Sequence, residues 1–403
     1  MTITQPKGAL PLFLFLGQSY FGKNSSNGRV LSPPEPNPAR MLNGPHQLFG
    51  AGAEPLHEPF DGLTAAVDFM PRVQSPVTAF LYRYAARATG LGLPPECIGH
   101  SESRSNGSIA HLLPPAHEWH SDSAIFENLM AAVSAAVRDV SADGGKVHVP
   151  ALFFCQGTGD REMDKASYLA RLGALFDALG PAITLRTGQE APPHYFIVQP
   201  PAKPFDGRWP CLQAHLDICE TRSDCTLAMA GWAVPQHDRT HFTGAGCVSV
   251  GEICAEVYLA ALRGEDLSAP RIARVRRTGR TLHADIAGAA DVIADMGPDT
   301  PRHRVGGAPL PHHGLQLDQG EIETVEIEGR TLRITLTEES APPTILHFAH
   351  ANRQSLGLQK MKDKANQSLN RGNIRADRQI DSLFLDTPLH QWMASSVHSI
   401  ETV

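Results

Sequence analysis

Phe13-Leu14-Phe15-Leu16-Gly17-Gln18-Ser19 is an apolar run that stops abruptly at a small residue, an amide and a hydroxyl. The run from Leu12 to Leu16 is too short to span a membrane and suits a strand buried on both faces. Such strands belong to parallel sheets covered by helices. A serine just past the carboxyl end of one sits where open α/β sheets hold their ligands. Ser19 is therefore a candidate nucleophile. It needs a base, and Asp238-Arg239-Thr240-His241 supplies one late in the chain.

The flanking sequence alternates strand-like and helix-like segments up to about residue 265. A long polar stretch rich in Pro, Gly and Asn runs from Gly22 to about Gly62. Loops of that length inside compact domains are functional or mobile. Ser75-Pro76 opens a helix with an N-cap and a first-turn proline. A short strand is expected at Glu96 to Gly99. A helix follows over Ser123 to Val140, with Ile125, Leu129, Val133 and Val137 on one stripe. Val149 to Cys155 reads as a strand ending at Gln156-Gly157, and Lys165 to Leu179 as a helix. Tyr195 to Val198 and Thr226 to Val234 read as strands four and five, and Gly246 to Leu262 as the last helix.

Five strands alternating with helices predict a parallel, doubly wound, flavodoxin-like sheet. Right-handed crossovers bring Ser19, the Ser105-Asn106-Gly107 loop, Gln156 and His241 to one edge. The pattern changes near Leu267-Ser268-Ala269-Pro270. Thr281 to Ile286 alternates like a strand, and Val325 to Leu336 reads as a hairpin turning at Glu328-Gly329-Arg330. Ile345 to Phe348 is another short strand. The division expected is 1–268 as the α/β domain and 269–403 as a smaller β-rich, sandwich-like domain. Gln354 to Arg378 reads as a polar, basic loop whose Arg371, Arg375 and Arg378 form a solvated face.

Composition bounds the function. The chain has 403 residues, 42% apolar and 19% charged, with a formal charge of −7. Mild acidity argues against nucleic acid or an anionic membrane as partner. Lys7 before the apolar run resembles a secretory leader, but Gly17-Gln18-Ser19 is a weak cleavage site and cutting there removes the first strand. The default location is then cytoplasmic, with export by another route left open. The seven cysteines include no CxxC pair. Cys155, Cys247 and Cys254 read as buried small hydrophobes. Cys211, Cys219 and Cys225 are close enough for one disulfide, which requires an oxidising compartment. His117-Glu118-Trp119-His120 has the wrong spacing for the zinc-protease helix. No metal or cofactor is called for.

Serine hydrolysis needs a hydroxyl, an imidazole to take its proton, a carboxylate to orient the imidazole, and fixed donors for the oxyanion. Asp238, three residues before His241, can reach Nδ1 while Nε2 faces Ser19. The loop at Asn106-Gly107 and the amide of Gln156 are placed to donate.

Gly17-Gln18-Ser19, Gln156-Gly157 and Asp238-Arg239-Thr240-His241, in that order, resemble three blocks of the SGNH (GDSL-like) hydrolases. The likeness is to the carbohydrate-esterase branch, the sialate O-acetylesterase-like and acetyl-xylan-esterase-like proteins, over roughly residues 10 to 265. It implies Ser19 as nucleophile, His241 as base and Asp238 as orienting acid. It also implies an oxyanion hole from the Ser19 backbone, a backbone amide near Asn106 or Gly107, and Gln156. Tyr20 stands where the family has asparagine, and Thr158 where it has glutamate. One glycine, Gly107, stands where relatives carry a pair. The function implied is removal of O-acetyl groups from an acetylated saccharide or polysaccharide. Two alternatives stay open: a lipid or thioester acyl hydrolase, and a catalytically weak glycan-binding protein. The sugar and the oligomeric state are not legible.

Overall fold

The computed structural model describes residues 3, 5–21, 39–43, 62–65, 74–201, 210–236, 241–288, 290–296, 304–305, 308–337, 343–349 and 372–403. The apolar run near the start forms β1 (Ala9–Gly17) in an eight-stranded sheet. Side chains alternate across a strand. Leu12, Leu14 and Leu16 accordingly enter one core, and Phe13 and Phe15 the other. The other strands are β2 (Arg40–Asn43), β3 (Gly62–Ala65), β4 (Ile98–Ser103), β5 (Lys146–His148), β6 (Ala151–Cys155), β7 (His194–Gln199) and β8 (Cys225–Ala230). Their order is β3-β2-β4-β1-β6-β7-β8, with β5 on the first residues of β1. The pairs β1–β4, β1–β6, β6–β7 and β7–β8 are all parallel. The centre β4-β1-β6-β7-β8 is the flavodoxin-like winding expected from the alternation. β2 and β3 extend it from a stretch that reads as polar loop and lies largely outside the described residues.

The helices are α1 (Pro76–Ala88), α2 (Ile125–Ala142), α3 (Lys165–Thr187), α4 (Pro210–Thr221) and α5 (Gly244–Leu262). α2, α3 and α4 cover the leucine face; α1 and α5 cover the phenylalanine face. Ser75 caps α1 by accepting the Val77 N–H at 3.1 Å. α3 runs past Leu179 with Pro181 inside it, burying Ile183 before Gly188 closes it with an N–H to Thr184 O. α4 has no counterpart in the sequence reading, because a polar residue, His215, interrupts the stripe of Leu212 and Leu216 and is itself fully buried. The fifth strand stops at Ala230, not Val234, and Gly231–Ala233 makes a single turn. α5 is long and apolar enough to cross a bilayer by length and composition alone, but 83% of that window is buried inside the fold.

After α5 the chain builds β structure that is antiparallel apart from one parallel pair, between its first and last strands. The strands are β9 (Arg271–Thr278), β10 (Thr281–Ala287), β11 (Val292–Ala294), β12 (Arg304–Val305), β13 (Ala308–Pro309), β14 (Leu315–Leu317), β15 (Ile322–Glu328), β16 (Thr331–Leu336), β17 (Ile345–Phe348), β18 (Ile374–Ile380), β19 (Leu389–Trp392) and β20 (Ser396–Thr402). A seven-stranded sheet, β14-β17-β20-β9-β10-β16-β15, shares a core with the three-stranded sheet β11-β18-β19. The β15–β16 hairpin pairs Glu328 with Thr331, the turn read from sequence. The expected basic loop is corrected here. Arg375 and Arg378 lie on β18, and Arg375 is buried, with Nε 2.7 Å from Asp295 Oδ2. Arg371 lies outside the described residues. The disulfide left open among Cys211, Cys219 and Cys225 is not formed: all seven cysteines are free thiols. Cys211 and Cys219 share α4, where eight residues rise about 12 Å, beyond disulfide reach.

The β-rich part packs against the carboxyl ends of β7 and β8. Gln199, ending β7, donates to Ser395 O at 3.0 Å and accepts the Ser395 N–H at 3.1 Å. Trp232, just past β8, donates its indole N–H to Met393 O at 3.1 Å. On the phenylalanine side, buried Arg83 of α1 reaches Glu256 of α5 at 2.5 Å and Asp381 O at 2.6 Å.

Candidate active site

At the end of β1 the chain crosses tightly over β6. A Cβ on Gly17, whose φ is +157°, would lie 2.1 Å from the Cys155 carbonyl oxygen, so only glycine fits. Gln18 N–H then donates to that same oxygen at 3.0 Å, and Phe21 N–H donates to Gln18 O at 3.1 Å. Ser19 and Tyr20 occupy the middle of the resulting turn. Ser19 is half-buried, and its Oγ lies 2.9 Å from His241 Nε2. For Oγ to donate, the histidine must carry its proton on Nδ1.

The residues on the carboxyl side of His241 hold it in place. Gln236 and Phe242 form an isolated bridge, Phe242 is buried, and Thr243 caps α5 by accepting the Gly246 N–H at 3.1 Å. His241 therefore stands at the entrance to a helix that is fixed in the core. Tyr20 packs beside it, with ring centroids 6.2 Å from His241 and 5.5 Å from Phe242. Where the family carries asparagine, this chain has an aromatic wall. Asp238, the expected orienting acid, lies outside the described residues.

Gln18 is 1% exposed. Its Oε1 accepts from Gly157 N–H at 3.0 Å, Thr158 N–H at 2.9 Å and Thr158 Oγ1 at 2.8 Å. Thr158 thus ties the first block to the third and donates to Gln18, in contrast to the family's glutamate. Nothing in the sequence reading assigned Gln18 a role; the signal was an amide in a position flanked by residues that bury.

The loop after β4 forms the opposite wall. Arg104 N–H donates to Gly17 O at 3.2 Å, and Gly107 N–H donates to Arg104 O at 3.1 Å, closing a turn. Asn106 sits in it at φ +54°, a conformation asparagine tolerates better than most residues. Gln156 is fully buried, and its Nε2 donates to Gly107 O at 3.0 Å and to Asp160 Oδ2 at 2.5 Å. Asp160 Oδ2 also accepts the Ile109 N–H at 2.7 Å. Burial pushes the Asp160 carboxyl above its ordinary value. Gly159 lets the two loops touch, since a Cβ there would meet Gly107 O at 2.4 Å.

These bonds sort the four expected oxyanion donors. The Gly107 N–H and both Gln156 amide hydrogens already have acceptors. The N–H groups of Ser19 and Asn106 have none among the described residues. Sequence alone could not separate them, because the difference is one of hydrogen-bond partners.

No family model and no curated protein matches the chain. Solved structures do. A carbohydrate acetylesterase from Xanthomonas citri is 12% identical, with 96% of this chain and 80% of that one covered at a TM-score of 0.62. The chain has the SGNH hydrolase fold. The crystal structure of NanS is likewise 12% identical, with 64% of this chain and 99% of that one covered at a TM-score of 0.42. The Xanthomonas likeness extends over both the SGNH sheet and the β-rich part after it.

Proposed function

We propose that this protein is a serine esterase that removes O-acetyl groups from a carbohydrate. The observation that carries the reading is the 2.9 Å contact between Ser19 Oγ and His241 Nε2 at the carboxyl edge of a parallel sheet. In the proposed reaction Ser19 Oγ gives its proton to His241 Nε2 and attacks the acetyl carbonyl carbon. The oxyanion of the tetrahedral intermediate accepts from the unengaged N–H groups of Ser19 and Asn106. The intermediate collapses, and His241 returns the proton to the departing sugar oxygen. Water then attacks the acetyl-Ser19 ester, with His241 as base, and acetate leaves. Asp238 orients the imidazole and stabilises its charged form. Gln156 and Gly107 brace the donor loop.

The acetyl-carbohydrate choice is supported by the Gly17-Gln18-Ser19 form of the first block and by the name of the Xanthomonas neighbour. The test is acetate release from a panel of acetylated polysaccharides, with fluorophosphonate labelling in parallel. Labelling of Ser19 and acetate release that both vanish in Ser19→Ala are expected. Faster cleavage of octanoyl than acetyl p-nitrophenyl esters would favour a lipid acyl hydrolase. Glycan binding with no labelling would mark a binding protein.

A further inference from the structure

Beneath the 104–107 turn runs a buried chain of hydrogen bonds that the proposed chemistry does not use. Fully buried His215 on α4 places Nε2 3.1 Å from the hydroxyl of Tyr168 on α3. That hydroxyl lies 2.7 Å from Gln156 Oε1 and 3.2 Å from Gln156 O. Gln156 Nε2 continues to Gly107 O and to Asp160.

The direction of every link follows from chemistry. Gln156 Nε2 faces a carbonyl and a carboxylate, so it is the donor end and Oε1 must accept. The single Tyr168 hydrogen goes to Gln156, so the Tyr168 oxygen takes its second bond from His215 Nε2–H. Nδ1 has no partner among the described residues to receive a second proton's hydrogen bond, so His215 is the neutral Nε2–H tautomer. Burial is consistent with this, lowering the His215 pKa to about 3. An orphaned ring nitrogen in a core costs stability that a leucine at this position would not. Packing alone does not account for a histidine there.

We infer that Tyr168 and His215 are positioning residues. They orient the Gln156 carboxamide so that it grips the Gly107 carbonyl and holds the Asn106 N–H toward the Ser19 edge. The inference rests on the esterase reading for its catalytic consequence. The position of the loop itself is independent of that reading.

The test compares Tyr168→Phe with Tyr195→Phe. Tyr195 is an equally buried tyrosine whose hydroxyl donates to Phe176 O at 2.8 Å in the same core, away from Gln156. Both variants lose a buried hydrogen bond. Only Tyr168→Phe should lower kcat for p-nitrophenyl acetate, by about ten- to a hundredfold with KM within about twofold, less than deleting an oxyanion donor outright. His215→Gln keeps an N–H donor and should retain turnover, whereas His215→Leu should lose it. Hydrogen exchange across residues 104–109 should quicken in Tyr168→Phe and not in Tyr195→Phe. If wild type hydrolyses no ester, the functional reading fails, and the exchange arm alone decides the relay. Exchange at 104–109 that matches wild type, or turnover no lower than in Tyr195→Phe, overturns the inference.

Discussion

At Gly17 the outcome turns on the space a hydrogen atom occupies. Its neighbour is a backbone carbonyl, which cannot swing aside as a side chain can. Gly17→Ala should destabilise the fold by roughly 1–3 kcal/mol or more, and it should move Ser19 away from His241. Urea unfolding and esterase turnover measured together check this; a stable, active variant would show that the crossing is looser than described. Gln156 gives a second test at this scale. A direct oxyanion donor, removed, lowers kcat and leaves stability alone. Here Gln156→Ala strips partners from Gly107 O, Asp160 and Tyr168, so stability should fall with kcat, by about 1–3 kcal/mol. Thr158 follows the same logic. Its hydroxyl donates to an amide oxygen, so a carboxylate there would face an acceptor. Thr158→Glu should lower activity, and a rise would mean that the family's acid can still reach His241 from this position.

Among the elements, α1 and α5 share a cluster of buried charges. Arg83 is 1% exposed and answers Glu252 and Glu256 of α5. Glu252 also accepts from Leu383 N–H at 2.7 Å and from the Ser382 hydroxyl, so the cluster fastens the β18–β19 connection to the helices. Removing the cation leaves two carboxylates without their buried partner. Arg83→Ala should cost about 3–5 kcal/mol, more than a surface ion pair could. A loss below about 1 kcal/mol in urea titration would show that water reaches the cluster. The elements also differ in how they read from sequence. α1 and α2 announce themselves through a cap and an apolar stripe. α4 does not, because its stripe holds the buried histidine used by the relay.

For the whole molecule, acid should be the weak side. Burial lowers the pKa of His194 to about 4 and that of His215 to about 3. In the unfolded chain both regain the ordinary value near 6.5. Their contribution is complete above that value and is lost as pH falls toward the folded values, because the unfolded chain takes up protons first. Near pH 5 unfolding should therefore bind up to two protons through these groups, a slope of up to about 2.7 kcal/mol per pH unit. Urea midpoints at pH 7, 6 and 5 measure it. A flat profile would mean that these histidines are charged in the fold.

What the amino-acid sequence determined by itself is the winding and the meeting of the two side chains proposed to react. Alternation across β1 requires helices on both faces, and handed crossovers bring Ser19 and the His241 segment to one edge whatever the loops do. What only tertiary structure decided is which groups remain unengaged. Ser19, Asn106, Gly107 and Gln156 look alike as donors along the chain. Partners drawn from the turn at 104–107 and from Asp160 occupy two of them and leave two without an acceptor among the described residues. The burial of Arg375, the free thiols and the relay through Tyr168 and His215 were hidden for the same reason. Periodicity reports which face of an element is apolar. It carries no information about which distant polar atom completes a given hydrogen bond.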